Sequence, residues 1–237
     1  MNAADLTKTF VADGGGYPDN PTGPRIDKVR QIFASFPGRL KVLDIGCANG
    51  AILRPLVQQH ELHGVDIGEQ FVRLANANGI KAVEHNIESG PLPYSDKTFD
   101  AVFCGETIEH LVNTDRLMFE LNRVLKPGGK LVLTFPNIRT LLSLAMMAFF
   151  DLPPMYSARY HAFHYRDFTL RTIKMVLRNH GFRYEKAVGS AFFLPKIGEF
   201  WSGVATLFPS WAHTVVVVAT KEKDSYLPND TLGPLYD

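Results

Sequence analysis

The spacing of apolar residues changes along the chain in a regular order. Ile26, Val29, Ile32 and Phe33 recur at helical spacing, and Pro37-Gly38 ends that run. Residues 41–45 (KVLDI) form a short apolar strand that runs into a glycine-rich turn. Residues 51–59 are compatible with a helix, since Pro55 is tolerable only near a helix start. The alternation then continues through a strand at 62–67 (LHGVDI), a helix at 70–77, a strand at 81–85 and a strand at 99–105 (FDAVFCG). A helix at 114–126 carries Leu117, Leu121, Val124 and Leu125 on one side; Pro127-Gly128-Gly129 stops it before a strand at 130–135 (KLVLTF). Such alternation predicts an α/β protein with a parallel sheet covered by helices on both faces.

The last third changes character. Thr169 is a good N-cap for a helix carrying Leu170, Ile173, Val176 and Leu177, with Gly181 where a C-terminal cap belongs. Strands at 183–188 and 213–220 (HTVVVVAT) follow with no compact helical crossover between them, which predicts an antiparallel closing hairpin at the sheet edge. The expected organisation is an N-terminal leader or lid at 1–23, with Gly14-Gly15-Gly16 as hinges, a domain at 24–221, and an irregular tail at 222–237. Segments 137–165 and 191–212 interrupt the domain as insertions.

Composition narrows the function classes. The 237 residues are 46% hydrophobic, enough for a sizeable core, and 25 Lys+Arg against 24 Asp+Glu leave a net charge of +1. No global field then steers the chain onto nucleic acid. The two cysteines, Cys47 and Cys104, exclude a disulfide scaffold and are expected to be inert core thiols. The N-terminus lacks the basic-then-apolar pattern of a signal peptide, and the longest apolar run, 141–150, is about half the roughly 20 residues that span a bilayer. A soluble, cytoplasmic protein is expected.

The chemistry starts at Asp44-Ile45-Gly46-Cys47-Ala48-Asn49-Gly50, at the C-terminal end of the first strand, where ligands bind open parallel sheets. Glycines let the backbone approach a ligand, and the following helix offers unpaired N–H groups. Asp66 ends the second strand and can accept two hydrogen bonds from a ribose diol. A nicotinamide-dinucleotide fold also wants an acid at this distance. The turn, however, reads G-x-A-x-G rather than G-x-G-x-x-G. Asp44 stands two residues before the first glycine, where it can face a cationic amine, and the sheet closes with an antiparallel hairpin.

VLDIGCANG, GVDIGEQFVRLA, FDAVFCGETIEHL and LNRVLKPGGKLVLTFPN, in that order, resemble the class I S-adenosylmethionine-dependent methyltransferases. The resemblance implies a Rossmann-like, doubly wound, seven-stranded and mostly parallel sheet in the order 3-2-1-4-5-7-6. It also implies a donor site with Gly46, Cys47, Ala48 and Gly50 around the methionine part, Asp44 toward its amine, Asp66 and Ile67 at the ribose, Asn86 and Ile87 flanking adenine, and Gly105 ending the fourth strand. Many relatives have Asp where this chain has Asn86 and Gly where it has Ala48.

Methyl transfer to oxygen requires in-line placement of donor and nucleophile and removal of a proton by a base or a metal. Glu106-Thr107-Ile108-Glu109-His110 lies after the fourth strand, and His161 and His164 lie after the fifth. The E-x-x-E-H spacing resembles quinone-pathway O-methyltransferases, and His164, five residues before Thr169, resembles the added histidine of small-RNA 2′-O-methyltransferases. Glu106, Glu109, His110 and His164 then form a set for a Mg²⁺-type or Mn²⁺-type ion. The favoured alternative is direct contact, with His110 and His164 on the acceptor or its proton and Glu106 on donor or acceptor.

The acceptor side is apolar. Residues 141–150, with Phe192-Phe193-Leu194, Phe200-Trp201, Val204 and Leu207-Phe208, are expected to roof a greasy cavity, at least half of them packing on the domain core. They suit a hydrophobic or lipid-linked acceptor, or one met at a membrane surface. The basic residues of 159–186 read mainly as a solvated helix face, with Arg159 and Arg166 placed to hold a phosphate or carboxylate. The expected reaction is O-methylation of a small molecule, lipid-linked sugar or glycan. Metal-dependent RNA 2′-O-methylation and non-catalytic donor binding are the alternatives, the first disfavoured by the neutral charge.

Overall fold

The computed structural model describes residues 18–152, 164–194 and 197–226. Its helices are α1 (Pro24–Ala34), α2 (Glu69–Ala77), α3 (Thr114–Val124), α4 (Leu141–Phe150), α5 (Leu170–Asn179) and α6 (Ser202–Leu207). Its strands are β1 (Lys41–Ile45), β2 (Glu61–Asp66), β3 (Lys81–Glu84), β4 (Phe99–Gly105), β5 (Leu125–Pro136), β6 (Phe182–Gly189), β7 (Phe192–Leu194), β8 (Gly198–Phe200) and β9 (Thr214–Lys221). Seven of them make one sheet in the order β3-β2-β1-β4-β5-β9-β6, while β7 and β8 pair separately as a hairpin. This is the expected order, with β9 as the seventh strand of the sheet. β9 runs antiparallel to β5 and β6, and the other pairings are parallel.

Successive strand residues point to opposite faces, so each strand feeds two cores. Leu43, Ile45, Val102, Cys104, Leu131 and Leu133 join Leu117 and Leu121 of α3 and Ile173 and Leu177 of α5. Val42, Ala101, Phe103 and Val132 join Val29 and Phe33 of α1 and Val72 and Ala75 of α2. The helix starts are built locally. Asn113 accepts from the Arg116 N–H at α3, and a reciprocal Thr169–Thr172 capping box opens α5.

Three expectations are corrected. Residues 51–59 form turns around a short 3-10 segment, Arg54–Leu56, instead of a helix, because Pro55 supplies no N–H. The helix expected at 114–126 ends at Val124, and β5 begins at once, with Leu125 paired to Phe99. Lys126 precedes Pro127, which disfavours helical backbone there. Most of the large apolar side chains of the insertions do not pack on the core, although Ala191, Ala205 and Ala212 are buried. In α4 only Ser143 is buried, and Phe149 and Phe150 are 80% and 70% exposed. Trp201, Val204, Leu207 and Phe208 are exposed as well. Among the described residues, no helix is long and apolar enough to cross a membrane. The expected hinge glycines 14–16, His161 and Arg159 lie outside the described residues.

One buried ion network holds the approach to β4. Glu120 of α3 accepts from the Leu92 N–H at 2.6 Å and pairs with Arg123 at 2.7 Å. Arg123 also reaches Asp96 and the carbonyls of Leu92 and Tyr94. Removing Glu120 leaves the Leu92 N–H without its acceptor and Arg123 with only the exposed Asp96 as a charged partner. Glu120→Ala is therefore expected to lower stability by about 3 kcal/mol, read as an earlier midpoint in urea unfolding.

Candidate active site

β2 and β3 are added on one side of β1, and β4 and β5 on the other, so the chain reverses direction between β1 and β4. The carboxyl ends of these strands therefore open into a crevice. The 46–50 loop crosses it with positive φ at Gly46 (69°), Ala48 (46°) and Gly50 (73°). The N–H groups of Gly46 and Cys47 donate to the Val65 carbonyl at 2.9 and 3.0 Å. A side chain at Gly46 would place its Cβ 2.9 Å from Thr107 Oγ1, so the loop and the segment after β4 pack too closely for any residue but glycine. Ala48 adopts the left-handed conformation despite its methyl group.

Asp66 organises this loop as well as facing the crevice. Its Oδ2 accepts from the Ala48 N–H at 2.8 Å and its Oδ1 from the Gly68 N–H at 2.9 Å. Each oxygen keeps a lone pair for the expected ribose contact. Burial raises the Asp66 pKa, and the N–H groups of Gly68, Ala48 and Ile67 oppose that rise. Asp44, 3% exposed, has no hydrogen-bond partner among the described residues. Burial and then the charge of Asp66 hold its carboxyl well above the usual carboxylate range. Two sequestered acids facing one crevice are a seat for a cation, and S-adenosylmethionine carries two, an ammonium and a sulfonium. Asn86 and Ile87 lie past the end of β3 and are half-buried. The Asn86 Oδ1 accepts from the Glu88 N–H at 2.9 Å, which fixes the side chain and leaves its amide N–H groups as donors. Gly105 is the last residue of β4, as expected. Burial pushes the thiols of Cys47 and Cys104 up, in keeping with inert core groups.

Beyond β4, Thr107 Oγ1 donates to the Ile45 carbonyl at 3.1 Å and ties the E-x-x-E-H segment to the glycine loop. Glu106 has a φ of 50° and accepts from Thr134 Oγ1 at 3.0 Å. Burial raises its pKa, opposed by the Arg25 guanidinium and the Thr134 bond. Arg25, in the first turn of α1, carries a buried Nη1 with no hydrogen-bond partner among the described residues. It lies off the apolar stripe of α1, so periodicity gave no sign of it.

Glu109 is 2% exposed, and among the described residues neither carboxylate oxygen has a hydrogen-bond partner. Its carbonyl accepts from the Tyr165 N–H at 2.9 Å and the Arg166 N–H at 3.3 Å. That backbone link carries His164 to His110, with ring centroids 4.8 Å apart, edge to face. One ligand atom from each of Glu109, His110 and His164 lies within 4.8 Å of the others. The structure thus brings together three of the four residues expected for a metal set; Glu106 turns to Thr134 instead. Burial, then the charge of Glu106, raises the Glu109 pKa, and burial lowers that of His164, which favours its neutral imidazole. A buried carboxylate without a donor, beside two imidazoles, fits a divalent ion. The Arg166 guanidinium donates to the Val112 carbonyl from Nη2 at 2.9 Å and from Nε at 3.3 Å.

The sequence matches a family model described as a methyltransferase domain over residues 43–133. A ubiquinone biosynthesis O-methyltransferase of Xanthomonas oryzae pv. oryzae is 30% identical over 176 residues, covering 70% of this chain and 71% of that one. The 27-O-demethylrifamycin SV methyltransferase of Amycolatopsis mediterranei is 35% identical over 132 residues, covering 50% of this chain and 48% of its own. In fold, the chain is similar to an S-adenosylmethionine-dependent methyltransferase of Thermotoga maritima, with a TM-score of 0.67 at 20% identity, covering 92% of this chain and 99% of that one. By glycine loop, strand order and this kinship, the chain belongs to the class I S-adenosylmethionine-dependent methyltransferases.

Proposed function

We propose that this methyltransferase acts on a hydroxyl oxygen of a small-molecule or glycan acceptor, of a hydrophobic or lipid-linked kind. The observation that carries the reading is the Glu109–His110–His164 cluster, joined through Thr107 to the donor loop. Two of the similar proteins carry O-methylation in their names or positions of action, the ubiquinone biosynthesis O-methyltransferase and the 27-O-demethylrifamycin SV methyltransferase. The net charge of +1 gives no electrostatic footprint for RNA.

S-adenosylmethionine supplies a methyl group activated on a sulfonium. The residues that would hold it are Asp44 toward the ammonium, Asp66 at the ribose hydroxyls, Asn86 and Ile87 at the adenine, and the 46–50 loop at the methionine part. An acceptor hydroxyl must lose its proton as the new bond forms. His164, kept neutral by burial, and His110 beside it are the groups in this crevice that can take that proton. Glu109, His110 and His164 would also hold a divalent ion, which would lower the pKa of a bound hydroxyl. The Arg25 guanidinium opposes the rise that burial imposes on the Glu106 carboxyl.

Asp66→Ala is expected to weaken S-adenosylhomocysteine binding by about 1–3 kcal/mol in calorimetry, because a buried partner of N–H and hydroxyl donors is lost. His164→Ala and Glu109→Gln are expected to lower kcat by roughly 10²–10⁴ while S-adenosylhomocysteine affinity holds, as fits loss of proton or oxygen handling alone. Turnover with phenol and sugar acceptors is expected to fall after EDTA dialysis and to return with Mn²⁺ or Mg²⁺. Turnover indifferent to both treatments assigns the cluster to proton transfer by the histidines alone. Normal turnover in both variants overturns the reading.

A further inference from the structure

A second cleft lies away from the crevice, between the outer face of α5, the start of α4 and the 3-10 segment Pro209–Trp211. It has a volume of about 720 Å³, and its lining includes Arg139, Arg171, Lys174, Arg178, Thr169 and Ser210. Four of the lining side chains are cationic and none is acidic. Among the described residues, none of the four cations pairs with a carboxylate: Arg139 lies over the Trp211 ring at 4.5 Å and Lys174 over the Tyr184 ring at 4.0 Å.

The placement goes against what the helix alone would favour. Arg171 stands in the first turn of α5, which contains no acid, although the macrodipole there favours a negative side chain. Arg171, Lys174 and Arg178 follow at spacings of three and four, so they share one side of the helix. Arg139 comes from another element and is held by Asn137, whose Oδ1 accepts from the Arg139 N–H at 3.1 Å. The Asn137 Nδ2 donates to the Ser210 and Ala212 carbonyls, which fixes the opposite wall. Unpaired like charges gathered in one cleft repel each other, and an anion relieves that repulsion. Guanidinium groups match the oxygens of a phosphate in paired hydrogen bonds.

We propose that this cleft is a binding site for a phosphate or diphosphate group, separate from the methyl-transfer crevice. Its ligand has two sources with the same chemistry, a soluble phosphorylated compound and the headgroup of an anionic lipid. The second has a physical basis beside the cleft: α4, which follows Arg139, exposes Leu141, Leu144, Met147, Phe149 and Phe150, and Leu207 and Phe208 precede Pro209. The site does not depend on which acceptor atom is methylated.

The test uses the full chain with Trp201→Phe, which leaves Trp211, beside Arg139, as the sole tryptophan. Inorganic pyrophosphate, and separately vesicles of phosphatidylcholine with or without phosphatidylglycerol, are titrated while Trp211 fluorescence is followed. Binding is expected to weaken roughly ten- to a hundredfold in Arg171→Gln/Arg178→Gln, the loss that follows from hydrogen bonds between charged groups. S-adenosylhomocysteine affinity is expected to stay unchanged, which shows that the variant is folded. Should the double variant lose that affinity, Arg139→Gln and Lys174→Gln, on separate elements, each give the same reading. Saturable pyrophosphate binding identifies a soluble source; a response confined to phosphatidylglycerol vesicles identifies a lipid headgroup. No response to either probe, or an equal response in folded variants, overturns the proposal.

Discussion

The crevice with its glycine loop and buried acids depends on the reversal of strand order between β1 and β4. At that point the chain connections leave in opposite directions, and the carboxyl ends of two central strands stay uncovered. Backbone there must turn sharply with little room. The 46–50 loop does so through three residues of positive φ, tied by N–H bonds to the Val65 carbonyl and the Asp66 carboxylate. Thr107 closes the other side so tightly that the first of those residues has to be glycine.

The crevice then separates two kinds of charge. Asp44 and Asp66 lie buried on one side, where burial and then the charge of Asp66 disfavour ionisation of Asp44, and a cationic ligand is the natural complement. Across the Thr107 contact, Glu109 is buried, without a side-chain hydrogen-bond partner among the described residues, and lies beside two imidazoles. Such a carboxylate is costly in an apolar setting. Folded proteins keep costly groups of this kind mainly at sites of chemistry, where ligand, proton or cation completes them.

Around this centre the insertions are attached by a few polar hubs and little apolar burial. Asn137, fully buried at the end of β5, binds the backbone of both insertions. The Tyr165 N–H bond to the Glu109 carbonyl draws in the chain that carries His164. The large apolar side chains of α4 and α6 are mostly left facing outward, while Ala205 of α6 is buried, so the core gains little from them and the hydrophobic character of 141–150 answers to something other than core packing.

The sheet and its helices were legible because their signal is local. Alternation along KVLDI, FDAVFCG and KLVLTF and the 3.6-residue stripes of α1, α3 and α5 are set by burial on two faces, which acts residue by residue. The glycine loop and Asp66 were legible for a related reason: a glycine turn after one strand and an acid ending the next are fixed in position by the strands themselves. The misplaced elements mark where local signal fails. Periodicity could not show that Pro55 would prevent a regular helix, or that the most apolar segment of the chain would stay at the surface, because burial depends on what packs against a segment. The grouping of Glu109 and His110 with His164, the turning of Glu106 toward Thr134, and the approach of Arg25 were decided only by the tertiary structure. Each depends on backbone contacts between elements far apart in sequence, and no spacing within one element encodes such a contact.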